Sequence, residues 1–274
     1  MKPADFELLS GLVKQRSGLI LSKEKLYLLE SRLIPLARKR GMTGLDELAT
    51  AIRGRRDEPL ITAVTEAMTT NESSFFRDLK PFENFRNVVL PRLIEARMAK
   101  RSLRIWCAAC STGQEPYSIA IFLREEARKL AGWRVDIVAT DLSTEVIEKA
   151  KLGMYSQFEV QRGMPVQLLM KYFAQTNEMW QIDASVRAMV KFQPLNLLQE
   201  FSALGSFDVV FCRNVLIYFD NPTKRSVLER ISRQMPSDGM LFLGGAETVL
   251  GVTDAFKPAQ GLRGVYQLTR RTAH

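Results

Sequence analysis

The side chains able to do chemistry in this chain are carboxylates, arginines, lysines, tyrosines and thiols, because its one histidine is the terminal residue, His274. A Ser-His-Asp triad, a Cys-His pair and a histidine-based metal site are therefore excluded from the interior of the fold. Cys107 and Cys110 have C-x-x-C spacing and Cys212 is the third thiol. A metal needs four ligands and none of the right type remains, which leaves a redox switch or small buried residues beside a loop. The richest stretch is residues 104–120, RIWCAACSTGQEPYSIA. It opens as a short apolar strand (Leu103–Ala108), breaks into Ala109, Cys110, Ser111, Thr112 and Gly113, then becomes a helix with Pro116 in its first turn. Proline there removes an N–H that has no helical partner anyway. A strand running through a tight loop into a helix presents backbone N–H groups to a ligand. Gly113 alone stands where a dinucleotide fingerprint needs three glycines, so the loop suits a small zwitterionic ligand with an amino-acid tail.

The elements around this joint follow from periodicity. With 274 residues, 46% of them hydrophobic and 25% charged, the chain can form one large or two modest globular domains. No apolar run is long enough to span a bilayer, and MKPADFELLSG has acids where a signal peptide needs an apolar core, which argues against export. The odd cysteine count gives no disulfide framework and agrees with a reducing cytosol. Residues 1 to about 70 read as helical, with Phe6, Leu8, Leu9, Leu12 and Val13, then Leu26, Leu29, Leu33, Ile34 and Ala37, at helical spacing. Pro35 predicts a bend or break in the second segment, and Gly41 and Gly44 end it.

Two basic clusters lie in this part: Arg32 with Arg38, Lys39 and Arg40, then Arg53, Arg55 and Arg56. They are either a solvated helix face or a docking surface for an acidic partner, and the net charge of +9 favours docking. Residues 69–74, TTNESS, form a polar hinge followed by Phe75, Phe76 and Arg77; alone, this reads as a linker with a capping serine and buried aromatics.

From about Leu79 the pattern alternates α and β. A helix (Phe82–Met98) precedes strand one, and helix Glu115–Leu130 follows the loop. Strand two (Val135–Thr140) ends at Asp141, either an acceptor for ribose hydroxyls or the N-cap of a helix over Ser143–Lys151. Tyr172–Gln175, Met179–Ile182 and Met189–Phe192 read as a small antiparallel excursion after a helix at Met164–Tyr172. The chain then returns to the main sheet with Phe207–Cys212, which places Arg213 and Asn214 at a carboxyl edge, with Tyr218 shortly after. Helix Pro222–Gln234, strand Met240–Leu243 and a last strand Val265–Leu268 complete the reading.

The runs TNESSFFR (70–77), WCAACSTGQEPYS (106–118), ATDLS (139–143), LNLL (195–198) and FCRNVLIYF (211–219) together resemble the CheR family of chemotaxis receptor methyltransferases. The resemblance covers nearly the whole chain. It implies an α/β fold: a doubly wound S-adenosylmethionine-dependent methyltransferase sheet with a small antiparallel β-subdomain (about 172–193), preceded by an all-helical N-terminal domain. The domains would be 1–70, docking on receptors, and 71–274, binding S-adenosylmethionine and releasing S-adenosylhomocysteine. The implied reaction is methyl esterification of glutamate side chains on cytoplasmic receptor helices.

The resemblance also implies the site residues. Asn71, Ser73 and Arg77 line the cofactor site from the linker, beside the Gly113 loop. Glu115 takes the methionine amino group or its neighbourhood, Asp141 the ribose hydroxyls, and Asn196 and Leu197 flank the adenine. Arg213 and Asn214 close the pocket, and Tyr218 sits near the transferred methyl. Ser73 replaces the threonine of some relatives and keeps the hydroxyl. Relatives that dock on a receptor's C-terminal pentapeptide carry a glycine-containing insertion in the β-subdomain. Residues 174–178, AQTNE, hold no glycine, so independence from a pentapeptide is expected.

The implied chemistry fits the residues. A glutamate with a pKa of about 4.3 is already ionised at neutral pH and needs no general base. Orientation, worth up to about 7–11 kcal/mol in favourable cases, is what remains to be supplied. Arg77 is the natural fork for the incoming carboxylate, and Tyr218 adds a hydrogen bond and an aromatic wall. Arg32, Arg38, Lys39 and Arg40 would steer glutamate-rich receptor helices. The expected setting is a cytoplasmic monomer recruited to membrane receptor arrays, without nucleic acid or membrane insertion, and with a regulatory protein on the N-terminal domain as a further candidate partner. The rival readings are a nucleic-acid methyltransferase and an inactive cofactor-sensing adaptor. Against the first, residues 213–216 (RNVL) lack the Pro-Pro-aromatic run of adenine-N6 enzymes, and Cys212 follows Phe211 instead of proline.

Overall fold

A computed structural model describes residues 1–54 and 57–269. The chain divides into two compact units: residues 1–70 with 218–223, and residues 71–217 with the chain from 224 onward. Arg55, Arg56 and His274 lie outside the described residues.

The first unit packs α1 (Pro3–Ser17), α2 (Leu26–Lys39), α3 (Leu45–Gly54) and α4 (Glu58–Ala67). Leu9, Val13, Leu29, Leu33, Ala37, Leu48 and Val64 meet in its core at no measurable exposure. Of the bend or break expected at Pro35, the break does not occur: α2 runs on through the proline. It sits on the solvent side, as does Ser31 one turn back, so the carbonyl that loses its partner can turn to water. Arg32 is half-buried and caps α4: Nη1 donates to the carbonyls of Met68 (2.7 Å) and Thr69 (2.8 Å), and Nη2 to Thr70 Oγ1 (3.0 Å). Arg53 pairs with the buried Asp5 at 2.5 Å. Arg38, Lys39 and Arg40 are exposed. Residues 218–223 belong to this unit: the Tyr218 carbonyl accepts from Ile20 N–H at 3.0 Å and its side chain packs against the core.

The second unit begins with α5 (Lys80–Asn84) and α6 (Leu90–Ala96), joined through one π-helical turn. Then come β1 (Ser102–Cys107), α7 (Gln114–Glu125), β2 (Arg134–Asp141), α8 (Thr144–Leu152), β3 (Met154–Ser156), α9 (Gln157–Gln161) and α10 (Val166–Tyr172). They are followed by β4 (Phe173–Thr176), β5 (Met179–Ile182), α11 (Ala184–Arg187), β6 (Val190–Pro194), β7 (Val209–Cys212), α12 (Asn221–Arg233), β8 (Met240–Leu243), β9 (Phe256–Pro258) and β10 (Val265–Leu268). The main sheet has seven strands in the order β6-β2-β1-β7-β8-β10-β9. The first five pair in parallel, and β10 pairs antiparallel with both β8 and β9.

Alternation along β1 sends Ile105 and Cys107 into an aromatic layer with Phe75, Phe76, Phe82, Phe85, Phe122, Phe211 and Phe242. Trp106 faces the other side and stacks on Phe207 at 5.5 Å. Burial on both faces is why the parallel strands read as continuous apolar runs.

The β-subdomain differs from the expected span of about 172–193. Its sheet is β3-β5-β4, so its third strand is Met154–Ser156. Met189–Phe192 was expected there, but β6 instead pairs in parallel with β2, from Ile137↔Val190 to Asp141↔Pro194. An apolar run at that position satisfies a sheet edge of either kind, and only the non-local register decides between them. Among the described residues, no helix is long and apolar enough to cross a membrane.

Candidate active site

The site is assembled at the carboxyl ends of β1, β2 and β7, where an open α/β sheet places its ligand. The loop after β1 is held by its neighbours: Ala108 N–H donates to the Phe211 carbonyl (2.8 Å) and Cys110 N–H to the Thr140 carbonyl (2.9 Å). Gly113 caps α7 at φ +96°, a left-handed conformation that favours glycine. A Cβ there would lie 3.1 Å from Ala150 Cβ, Tyr117 Cε2 and Tyr155 Oη. The fit is fixed by two buried tyrosines: Tyr155 donates to the Thr112 carbonyl (2.8 Å) and Tyr117 to the Ala150 carbonyl (2.7 Å).

The linker lies across this loop. Ser111 Oγ donates to the Asn71 carbonyl at 2.7 Å, and Phe76 N–H donates to Ser118 Oγ at 3.0 Å. Phe75 and Phe76 are buried in the sheet's aromatic layer, and each anchors the linker with about 1.5–3 kcal/mol of transfer free energy. Ser73 and Arg77 are left half-buried. Arg77 Nη1 donates to the Glu72 carbonyl at 3.0 Å, and the Glu72 carboxylate pairs with Arg162 at 2.5 Å.

Arg213 is the strut beneath. Its side chain is 1% exposed. Nη1 donates to Glu115 Oε2 at 3.0 Å, and Nη2 donates to Asp78 Oδ2 at 2.8 Å and to the Arg77 carbonyl at 3.0 Å. The guanidinium lies over the Phe82 ring, 5.5 Å from its centroid, and its buried Nε has no hydrogen-bond partner. Burial pushes the Glu115 pKa up, and Arg213 pulls against that shift. Sequence reasoning assigned Glu115 and Arg213 separately to a ligand; the structure joins them in one buried ion pair.

Asp141 is braced at the end of β2. Its Oδ2 accepts from Ser111 N–H (2.8 Å) and its Oδ1 from Ser143 N–H (3.1 Å). The N-cap of α8 is Ser143, whose hydroxyl accepts from Val146 N–H. The Asp141 carbonyl accepts from Leu195 N–H at 2.8 Å, which brings Asn196 and Leu197 beside the strand end. Asn196 Oδ1 accepts from Leu198 N–H at 2.9 Å, and the carbonyl of the buried Leu197 accepts from Arg230 Nη2 at 2.6 Å.

Sequence reasoning missed Glu247. Its carboxylate accepts five backbone N–H groups: Asn214 (2.8 Å) and Gly244 (2.6 Å) on Oε2, then Val215 (2.9 Å), Leu216 (2.7 Å) and Ile217 (3.3 Å) on Oε1. The donors are 30 to 33 residues before it except for Gly244, so no local pattern could announce the contact.

Backbone strain gathers at the same place. Of seven non-glycine residues at positive φ among those described, five are Phe76, Asp78, Leu79, Ser111 and Asn214. Such conformations persist where surrounding structure over-determines them, commonly at active sites. Cys107, Cys110 and Cys212 are buried and unpaired, and burial pushes each thiol pKa well up. Thiols so placed are poor nucleophiles, which supports the packing reading over the redox one. Among the described residues no cluster of candidate ligands could hold a metal.

Residues 71–265 match the family model described as CheR methyltransferase, SAM binding domain, and residues 4–69 match CheR methyltransferase, all-alpha domain. The chain is 42% identical over 266 residues to "Chemotaxis protein methyltransferase 1" of Pseudomonas aeruginosa, covering 96% of each chain. It is 39% identical over 265 residues to "Chemotaxis protein methyltransferase Cher2" of Pseudomonas putida, covering 95% of this chain and 96% of the other.

Proposed function

Because the chain belongs to the CheR methyltransferase family, and so is an S-adenosylmethionine-dependent methyltransferase, we propose that its acceptors are glutamate side chains on cytoplasmic helices of chemotaxis receptors. The products are glutamate methyl esters that serve sensory adaptation. The observation that carries this reading is Arg77, a half-buried guanidinium at the edge of the site that spends Nη1 on a surface carbonyl. The rest of its fork can take an anionic acceptor in bidentate fashion.

The donor set fits the cofactor. A sulfonium and an ammonium call for acidic surroundings, and Glu115 in the first turn of α7 and Asp141 at the end of β2 are both buried. When bound, S-adenosylmethionine supplies an electrophilic methyl group. Asp141, whose carboxylate accepts from Ser111 N–H and Ser143 N–H at the end of β2, would take the ribose hydroxyls. Glu115 would face the methionine ammonium, Asn196 and Leu197 the adenine. Asn71, Ser73, Gly113, Arg213 and Asn214 would shape the rest of the pocket. The acceptor glutamate arrives ionised, so the protein has no proton to remove and acts by orientation and exclusion of water. The role of Tyr218 beside the methyl rests on the resemblance, and Tyr218→Phe probes it. The deciding experiment is methyl transfer from tritiated cofactor to receptor fragments. Base-labile label on receptor glutamates is expected; label on nucleic acid alone, or no transfer, would overturn the reading.

Two finer proposals come with their own measurements. Arg38, Lys39 and Arg40 form the receptor-docking face, with Arg32 withdrawn into its capping role. Reversing the three exposed charges should raise KM for receptor about tenfold at low salt, an effect shrinking as the Debye length falls below about 8 Å. Equal KM for variant and parent at low salt would remove the surface from the account. The second concerns the β4–β5 hairpin, which turns on Asn177 and Glu178 alone, with Asn177 at φ +58°. A turn this short carries no insertion for a tethering peptide. Calorimetry with a receptor C-terminal pentapeptide should therefore give no heat at micromolar concentrations. The enzyme is further proposed to act as a monomer recruited to receptor arrays.

A further inference from the structure

We infer that Glu247 is a positioning residue for the cofactor site, acting through the backbone of the turn that carries Asn214. The inference rests on the reading of Asn214 as a cofactor-site residue. Glu247 is 9% exposed and follows β8, while the turn it holds follows β7, the parallel neighbour of β8. One carboxylate thus ties two strand ends together at the edge where the ligand is read to bind. Four consecutive N–H groups, Asn214 to Ile217, converge on it. Such convergence is the form of a backbone anion nest, filled here by an internal side chain.

The nest fixes a strained conformation. Asn214 is at φ +58°, and its N–H is one of the two that Oε2 accepts. The other comes from Gly244, where a Cβ would lie 2.8 Å from both Asn214 Nδ2 and Glu247 Oε2 and 3.0 Å from Asn214 N. The Asn214 amide therefore lies directly over residue 244, where Glu247 and the turn leave room only for glycine. Because both carboxylate oxygens are saturated with donors, a glutamine cannot substitute: whichever way its amide turns, an NH₂ faces backbone N–H groups and at least two bonds are lost.

The test compares the affinity of the full chain for S-adenosylhomocysteine, by calorimetry at 25 °C, with its Tm. Glu247→Gln should bind about tenfold more weakly or worse while circular dichroism reports a folded protein. Glu247→Asp, which keeps the charge but withdraws it by one methylene, carries the same expectation where the glutamine variant does not fold. Asp208→Asn is the structural control: it alters a carboxylate that is 6% exposed, just before β7, and that accepts from Arg104 N–H and Arg97 Nε. It should lower Tm and leave affinity unchanged. Wild-type affinity in both Glu247 variants despite a lower Tm would overturn the inference, as would equal weakening by Asp208→Asn. Asn214→Ala separates the two layers. Weakened binding there with intact binding in the Glu247 variants sinks the inference alone, whereas unchanged binding in Asn214→Ala removes the reading beneath it.

Discussion

Replacing Arg77 by alanine is expected to lower methyl transfer by about 10²–10³-fold, the usual consequence of deleting one preorganised charged donor, while the fold persists. The separation is possible because the main chain of residue 77, and not its side chain, is part of the internal framework. Its carbonyl accepts from Arg213 Nη2, and that bond survives truncation. The linker is anchored by Phe75 and Phe76 on one side and by the Ser111–Asn71 and Phe76–Ser118 bonds on the other. The side chain itself makes a bond to the Glu72 carbonyl at an exposed edge, worth about 0.5–1.5 kcal/mol at most. Chemical denaturation should therefore find the variant within about 1 kcal/mol of the parent, and calorimetry should find it still binding S-adenosylhomocysteine. Arg77→Lys sharpens the test, because it restores the charge without the planar fork. It should recover only a part of kcat. Full turnover in Arg77→Ala would take the residue out of the mechanism; collapse of the fold would show that its side chain is structural after all.

The parts of this protein that were legible in sequence are those whose physics is local. The strand–loop–helix joint announced itself because Pro116 and Gly113 each have one conformational use at their position. Asp141 stood out as an acid ending an apolar run. The wider reading came from five motifs in order, and the family assignment bears that out. What stayed hidden was non-local. The strand Met154–Ser156 has three residues, too few to show a period, and is defined by pairing with Met179–Gln181. The place of Val190–Pro194 depended on a register with β2 that an apolar run cannot specify. Arg32 looked like one more cation in a basic cluster, yet it is committed to carbonyls 36 and 37 residues later. Glu247 sat in an unremarked turn. In each case the information lies in which distant backbone a strand or a side chain meets, and a single sequence does not carry that.

Removing Arg213 should have the largest effect on stability, a loss of about 3–5 kcal/mol at neutral pH, because it strands a buried charge. Arg213, just after β7, pairs with Glu115 in the first turn of α7, and its other nitrogen reaches Asp78 and the Arg77 carbonyl. Alanine at 213 leaves Glu115 buried without a counter-charge and releases the strained linker turn at Asp78, which is at φ +65°. The pH dependence gives the test its specificity. Burial already pushes the Glu115 pKa above the ordinary carboxylate value, and Arg213 opposes the shift, so the variant's folded-state pKa must rise further. A carboxyl whose folded pKa exceeds its unfolded value is more easily kept protonated in the folded state. Its contribution is therefore most favourable below the unfolded pKa of about 4.3 and is lost as pH climbs toward the folded value. The deficit of Arg213→Ala relative to the parent should accordingly be smaller at pH 5 than at pH 8. Adding Glu115→Gln removes the stranded charge, so the double variant should regain part of the loss and flatten its pH dependence. Denaturant unfolding at both pH values measures all three proteins. A deficit that ignores pH and is not relieved by Glu115→Gln would mean that the cost of losing Arg213 is one of packing, chiefly its contact with the Phe82 ring, and not of charge.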